Sequence, residues 1–202
     1  SYMQKYLLLL CTLFLLYSCN TLQKMTNSEI KHIESANALT PFRVLLTTNE
    51  QDLKILRRPC KDINFGKDRE DVEKLISRMK ATMFAESGVG IAAPQIGISR
   101  NIFLFVRVDQ PNAPVEVAIN PKIVNRAEET ICFERDGCLS IPNVSGNSIR
   151  YPWLEVEYLN ENGEKLREKL VGYSRQDNFV AVIFQHEFDH VQGVLFTDKL
   201  CE

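Results

Sequence analysis

Hydrophobic residues recur at the period of a helix in two parts of the chain. Between residues 68 and 85 they fall on one helical face, which predicts an amphipathic helix packed on the core. Its apolar residues are Val72, Leu75, Ile76, Met79 and Met83. A second apolar stretch lies within residues 175–192, and Gly193 directly after it is suited to end a helix, because glycine readily adopts the left-handed backbone found there.

The pattern between these two helices is that of strands. Residues 102–106 and 115–119 are short and rich in strand-forming residues, and residues 154–158 alternate strictly between apolar and acidic side chains. The turn signal at 160–163 joins this last strand to residues 164–171 in a predicted hairpin. Strands with two segregated helices predict the α+β fold class.

Length and charge fit one enzyme-sized domain. The 202 residues are 45% hydrophobic and 25% charged, which is enough to bury a sizeable core without a second domain. The formal net charge of −2, with no basic run, argues against nucleic acid as a partner. We expect a monomer whose folded domain covers residues 41–202.

The N-terminal segment has a separate character. Lys5 precedes ten apolar residues at 7–16, a run too short to span a bilayer comfortably but typical of a signal peptide. Residues 16–19 resemble a bacterial lipoprotein cleavage box, in which Cys19 would be lipidated, although Tyr17 departs from that box.

These features predict a signal at residues 1–19, a polar tether at 20–40 and a membrane-anchored lipoprotein facing the periplasm or exterior. The alternatives are an uncleaved anchor or a misannotated start. If the segment is not a functional signal, the protein would be cytoplasmic.

The segment His186-Glu187-Phe188-Asp189-His190 carries the strongest chemical signal. Histidines four positions apart lie on one helix face, so both imidazoles can reach one divalent ion. Glu187 is placed to act on a metal-bound water rather than to bind the ion. Asp189 is interpreted as a structural group.

A catalytic metal site usually has three protein ligands and one open position, so a third ligand is needed. We expect no ligand helix after His190, since twelve residues follow it in this sequence. His32, the remaining histidine, lies in a polar stretch near the N-terminus. Cys138, within residues 136–140, is the other candidate, although a small buried thiol is the commonest role of a free cysteine.

A glycine-rich segment at residues 88–95 completes a set of motifs. Paired glycines allow a backbone to approach a ligand closely, and Gln95 adds an amide, but the segment lacks the residues of a nucleotide-binding loop. In order, segments 88–95, 137–140 and 185–190 closely resemble the three signature motifs of the peptide deformylases. The likeness runs from about Leu53 to Leu200.

The resemblance implies an enzyme that removes the N-formyl group from formyl-methionyl peptides. Its fold would be short antiparallel sheets around a central metal-binding helix, with metal-activated hydroxide attacking the formyl carbon. Glu187 would serve as general base and then acid. The implied metal ligands are Cys138, His186 and His190.

Further site residues follow from the same resemblance. Gln95 and the backbone N–H of Leu139 would stabilise the oxyanion. Backbone groups around Val89 and Gly90 would pair with the peptide. The implied lining of the methionine pocket is Phe179, Val182 and Ile183, although for any one of them a plain core role is an equally good interpretation.

The three implied ligand side chains do not determine which metal is bound. A thiolate with two imidazoles suits iron, zinc, cobalt or nickel. The resemblance implies Fe²⁺ as the native ion, with Zn²⁺ binding tightly and often supporting less activity. Outside the cytosol ferrous iron beside a thiolate is prone to oxidation, which favours zinc.

Three positions depart from the family pattern and leave substrate preference open. Asp136 stands where glutamate is usual and would pair with Arg150, Glu134 stands where an apolar pocket residue is common, and Ser145 replaces a frequent arginine. Two other functions therefore remain, an exported metallopeptidase or amidase and a non-catalytic metal- or peptide-binding lipoprotein. Glu187 weighs against the second, because binding alone does not need it.

The six cysteines allow one disulfide in an exported protein. Cys11 and Cys19 belong to the predicted signal, and Cys138 is assigned to the metal. The remaining three are Cys60, Cys132 and Cys201, whose spacing does not say which pair would form. Three buried or free thiols is the favoured interpretation.

Overall fold

The computed structural model describes residues 22–201, so the predicted signal at 1–19 lies outside the described residues. The helices there are α1 (Asn27–Ile33), α2 (Glu50–Leu56), α3 (Phe65–Ala85) and α4 (Val180–Val191), with 3₁₀ helices at Ala93–Ile96 and Phe196–Lys199. The strands are β1 (Gly90–Ala92), β2 (Ile102–Val106), β3 (Val115–Arg126), β4 (Ile131–Cys138), β5 (Ile141–Arg150), β6 (Trp153–Leu159) and β7 (Lys165–Val171). The predicted α+β class is confirmed.

The strands form two antiparallel sheets. One has the order β1-β2-β3-β6-β7, and the other is the hairpin β4-β5. The strands predicted at residues 102–106, 115–119 and 154–158 correspond to β2, β3 and β6. The predicted hairpin pairs β6 with β7, and its register begins at Trp153↔Val171. The β4–β5 hairpin was not predicted, because its pairing shifts register twice and leaves no regular alternation of buried residues.

Helix α4 lies in the middle of the domain, packed on the five-stranded sheet. Phe184 contacts Phe103 and Phe105 edge to face, with ring centroids 5.0 and 5.3 Å apart. Such pairs add roughly 0.5–1.5 kcal/mol each beyond their buried area. A second apolar cluster joins α3, through Leu75 and Met79, to the other face of the sheet. The helix with the histidines is therefore held on a rigid support.

Helix α4 is shorter than predicted at its start. It begins at Val180 rather than near residue 175, because residues 174–178 form a turn in which the Ser174 N–H donates to the Asn178 carbonyl at 2.9 Å. The Asn178 side chain then accepts from Val180 N at 3.2 Å. At the other end Gly193 has φ +77°, which confirms the predicted helix stop.

From residue 22 onward the predicted polar tether is packed on the domain instead. Met25 and Ile33 are buried, and the side chain of Arg100, 2% exposed, donates to the Gln23 carbonyl at 2.7 Å and pairs with Glu29 at 2.7 Å. The polar composition of the segment does not reveal these partners, since they lie about 70 positions away. Within residues 22–201 no helix is long and apolar enough to cross a membrane.

Cys132 and Cys201 form a disulfide across a sequence separation of 69 residues, whereas Cys60 and Cys138 are free thiols. The favoured interpretation of three free thiols is therefore wrong for this pair. The tail reaches β4 because Leu200 forms an antiparallel bridge with Ser148 of β5. That approach is a tertiary contact which the cysteine spacing does not encode.

Candidate metal centre

The structure brings Cys138, at the end of β4, together with His186 and His190 on one face of α4. Their ligand atoms all lie within 4.8 Å of one another, and Cys138 Sγ is 3.2 Å from His190 Nε2. His32 is not part of this cluster. Its Nε2 lies 2.8 Å from the Ile96 carbonyl, and its ring packs on Phe42.

The three side chains interact electrostatically with one another and with Asp136. Burial raises the pKa of the Cys138 thiol, but the charge of His190 and hydrogen bonds with His186 and His190 outweigh it and bring the pKa to about 5. Burial lowers the pKa of His186, yet its contacts with Asp136 and Cys138 hold the pKa well above its usual value. A divalent ion binds a thiolate and neutral imidazoles, so it would replace the protons that these groups hold in its absence, and this donor set fits the metal.

Glu187 is a buried carboxyl group beside this cluster. It is 4% exposed, and its Oε2 has no hydrogen-bond partner among the described residues. Burial raises the pKa of Glu187 to about 7, a value suited to a general base near neutral pH. Gly90 makes room for it, since a Cβ there would lie 2.8 Å from the Glu187 carboxyl carbon.

The two predicted oxyanion donors, Gln95 and Leu139, lie beside Cys138. Gln95 is held in one orientation because its Oε1 accepts from Ala92 N at 2.9 Å, while Nε2 donates to Ser140 Oγ at 3.2 Å and lies 3.5 Å from Cys138 Sγ. Leu139 lines the same cavity directly after the cysteine. Ser140, which orients Gln95, was not singled out from the sequence.

A buried network of ion pairs contacts His186 through Asp136. Asp136 Oδ1 lies 3.0 Å from His186 Nδ1, and Arg150, 1% exposed, pairs with Asp136 at 2.9 Å and with Asp189 at 2.6 Å. Asp189 also pairs with Lys199 at 2.7 Å. The network orients His186 and connects the helix to the hairpin, which agrees with a structural role for Asp189.

A cavity of about 350 Å³ opens beside the cluster. All five residues predicted to contact substrate line it, namely Val89, Gly90, Phe179, Val182 and Ile183. Phe133 and Arg175 line it too and were missed by sequence reasoning. Glu134 and Ser145, the departures from the family pattern, are not among the lining residues.

Phe133 and Glu134 lie on opposite faces of β4. Phe133 is 3% exposed and lines the cavity, whereas Glu134 is exposed. The register of β4 against β5 then shifts between Phe133 and Asp136, and Arg135 has φ +56°. The only sequence signal for this arrangement is the aromatic residue next to the unexpected glutamate.

Comparisons with known proteins point to a single family. The family model for polypeptide deformylases matches residues 44–202. The peptide deformylase of Thermotoga maritima is 42% identical over 146 residues, which cover 72% of this chain and 81% of that protein. The peptide deformylase of Synechocystis is 36% identical over 148 residues, covering 73% and 74%.

Solved structures match the fold as well. The crystal structure of peptide deformylase from Thermotoga maritima superposes with a TM-score of 0.69 at 34% identity, covering 80% of this chain and 99% of that one. A peptide deformylase from Synechococcus elongatus, in complex with actinonin, gives 0.68 at 33% identity, with 80% of each chain covered.

Proposed function

The chain belongs to the polypeptide deformylase family, and we propose that Cys138, His186 and His190 hold its catalytic metal ion. It is a metal-dependent enzyme that removes the formyl group from formyl-methionyl peptides. The observation that carries the residue assignment is the meeting of three ligand atoms within 4.8 Å beside a buried carboxyl group. The metallopeptidase and non-catalytic alternatives are not favoured, since these relatives are peptide deformylases.

Glu187 transfers protons in this reaction, and the two oxyanion donors stabilise the developing negative charge. Cys138, His186 and His190 would hold a divalent ion, which would supply hydroxide near neutral pH by lowering the pKa of water from 15.7 toward roughly 7. Glu187 accepts the proton that this releases and delivers it to the departing amine. Gln95 Nε2 and the Leu139 N–H donate to the formyl oxygen as it gains charge, and one such donor typically contributes about 10²–10³-fold in rate.

The cavity walls position the peptide. Strand β1 is an edge strand of the five-stranded sheet, so its outer side can pair with an extended peptide at Val89 and Gly90. Burial of Val182 and Ile183, at 2% and 3% exposure, makes a dry wall for the methionine side chain beyond the edge strand. The formyl group then lies at the end of the cavity where Glu187 and the ligands are.

Turnover of formyl-Met-Ala-Ser tests the residue assignment. The chain without residues 1–19 is loaded anaerobically with Fe²⁺ or Zn²⁺ and compared with Glu187→Gln and His190→Ala. We expect formate from the parent protein with either ion, bound metal without turnover in Glu187→Gln, and loss of metal in His190→Ala. Formate release by a folded Glu187→Gln protein at the parental rate contradicts the role of Glu187.

The metal is proposed to be iron or zinc. Both suit one thiolate with two imidazoles, and nickel or cobalt can substitute. Elemental analysis of protein purified anaerobically from its own host identifies the ion. Zinc in that preparation supports an exported enzyme, because ferrous iron beside a thiolate oxidises readily outside the cytosol.

We also propose a monomeric lipoprotein attached to the membrane through Cys19, outside the cytoplasm. The Cys132–Cys201 disulfide supports this location, because such bonds persist in oxidising compartments and are rare in the cytosol. Incorporation of labelled palmitate into the full chain, with Cys19→Ser as the control, tests the attachment. Unprocessed protein in the soluble cytoplasm contradicts it, and light scattering of the solubilised protein tests the monomer.

A further inference from the structure

Arg175 lies in the loop before α4 and forms part of the cavity wall. Its guanidinium carbon is 4.8 Å from the ring centroid of Phe133 and 5.1 Å from that of Phe179. The two rings stack on each other with centroids 5.7 Å apart. Since Phe179 is one of the residues assigned to the methionine side chain, Arg175 places an exposed cation beside the part of the cavity that would hold this side chain.

The backbone of β4 holds this cation in place. Arg175 Nε donates to the Glu134 carbonyl at 3.1 Å, and Nη2 donates to the Arg135 carbonyl at 2.7 Å. Both carbonyls belong to the irregular part of β4, where the register shifts. Among residues 22–201, Nη1 has no acceptor and no carboxylate pairs with Arg175. The guanidinium is therefore fixed in position and keeps donors for a ligand.

The chemistry of the wall favours a side chain that carries an oxygen. A fully apolar pocket rejects an oxygen acceptor, because the acceptor loses water and gains no hydrogen bond. A fixed guanidinium removes that penalty. A thioether sulfur, in contrast, is only a weak acceptor and gains little from the same donor.

We propose that Arg175 is a specificity-determining residue that donates a hydrogen bond to an oxygen on the first side chain of the substrate, so that formyl-methionine sulfoxide peptides are hydrolysed as well as formyl-methionine peptides. The proposal rests on the proposed function of the site. Methionine sulfoxide is a common product of oxidation, and the Cys132–Cys201 disulfide indicates an oxidising environment in which such substrates arise.

The test compares formate release from formyl-Met-Ala-Ser with release from formyl-Met(O)-Ala-Ser, using each sulfoxide epimer separately. The full metal-loaded chain is compared with Arg175→Met, which keeps an unbranched side chain and removes the donors. We expect kcat/KM for at least one epimer to fall about tenfold to a hundredfold in the variant, mostly through KM, because a hydrogen bond from a charged donor is lost. The loss for formyl-Met-Ala-Ser is expected to be smaller, so that the ratio of kcat/KM for this epimer to kcat/KM for formyl-Met-Ala-Ser falls.

Arg126→Met is the matched control. Arg126 also stacks on an aromatic ring, with its guanidinium carbon 4.3 Å from the centroid of Tyr151, but it does not line the cavity. Its variant is expected to keep the ratio of the two substrates. An equal loss for both peptides in Arg175→Met overturns the proposal, because it means that Arg175 only braces the β4 backbone. A ratio that does not change in Arg175→Met overturns it too.

A binding measurement separates this proposal from the proposed function. If formyl-Met-Ala-Ser itself gives no formate, the proposed function fails. Calorimetry with the product peptides Met(O)-Ala-Ser and Met-Ala-Ser still measures whether Arg175 determines their relative affinity. A preference for the sulfoxide peptide that is lost in Arg175→Met supports the proposal. The same relative affinity in both proteins overturns it.

Discussion

The proposed metal centre joins two regions that are built differently, helix α4 and the β4–β5 hairpin. Ten of the twelve residues of α4 are buried, and its aromatic contacts fix it against the five-stranded sheet. The hairpin has two register shifts and many exposed residues, yet it supplies Cys138. The helix is therefore positioned by its own apolar residues, whereas the hairpin depends on contacts with distant parts of the chain.

Two sets of contacts hold the hairpin, the ion pairs of Arg150 and one disulfide. Arg150 links the hairpin to α4 through Asp136 and Asp189, and the Cys132–Cys201 disulfide fixes the outer end of β4 to the tail. The variants below change the helix, the hairpin, the Arg150 link between them, or the edge strand β1 that approaches the helix. The comparison predicts that variants in α4 affect chemistry or are poorly tolerated, while variants in the hairpin affect stability and metal retention.

Glu187→Gln removes the proposed base on the helix and is expected to have the largest effect. The kcat for formyl-Met-Ala-Ser should fall by about 10²- to 10⁴-fold, because the amide cannot accept a proton. The thermal midpoint and metal content should stay close to those of the parent, since the amide retains the shape of the carboxyl group. A variant with more than about a tenth of the parental kcat contradicts the assignment.

Arg150→Met breaks the link between the two regions. It leaves the carboxylates of Asp136 and Asp189, 5% and 6% exposed, without their buried cation. We expect a loss of about 3–5 kcal/mol in the free energy of unfolding, measured by urea denaturation. Arg167→Met is the control, because its ion pairs with Glu155 and Glu157 involve an exposed guanidinium and should matter little. Equal losses in both variants would falsify the importance of the link.

The double variant Cys132→Ser/Cys201→Ser loosens the hairpin alone. Removing a cross-link over a separation of 69 residues should cost about 2–4 kcal/mol in the free energy of unfolding. Zinc should be lost to a competing chelator more readily, since β4 carries Cys138. Cys60→Ser is the control for losing a cysteine outside the disulfide. Unchanged zinc retention in the double variant would show that the hairpin holds Cys138 without the tail.

The same contrast explains what could be predicted from the sequence. The histidines and Glu187 are neighbours in one helix, so their spacing is sufficient to place them on one face. The alternation at residues 154–158 likewise shows directly which face of β6 is buried. Cys138 was reached through resemblance, because nothing in its local sequence shows that β4 ends beside α4.

The features that sequence reasoning missed depend on long-range contacts. Phe133 of the hairpin lines the cavity, and Arg175 is placed by carbonyls about 40 positions away. Arg100 draws residues 23–29 onto the domain in a similar way. Each arginine reaches backbone or acidic groups that are distant in sequence, and neither composition nor periodicity records such a pairing.

Gly90→Ala tests how closely the edge strand approaches the helix. The new methyl group would lie 2.8 Å from the Glu187 carboxyl carbon, so the base must move. We expect kcat to fall about tenfold to a hundredfold with little change in stability, because a shift of about 1 Å in a catalytic group is costly. Gly66→Ala is the control, since its methyl group would meet only Asn64 Oδ1 at 3.9 Å. Parental kcat in Gly90→Ala would mean that Glu187 has room to adjust.

The smallest effect is expected from lengthening the carboxylates on either side of Arg150. Asp136→Glu adds one methylene in the hairpin, where the carboxylate contacts His186 at 3.0 Å and Ser148 at 2.6 Å. Since the irregular strand can shift, the free energy of unfolding should fall by only about 1 kcal/mol. Asp189→Glu adds the same methylene in α4, whose packed backbone cannot move, and should cost about 2–3 kcal/mol. Equal costs, measured by urea denaturation, would show that the hairpin is as rigid as the helix.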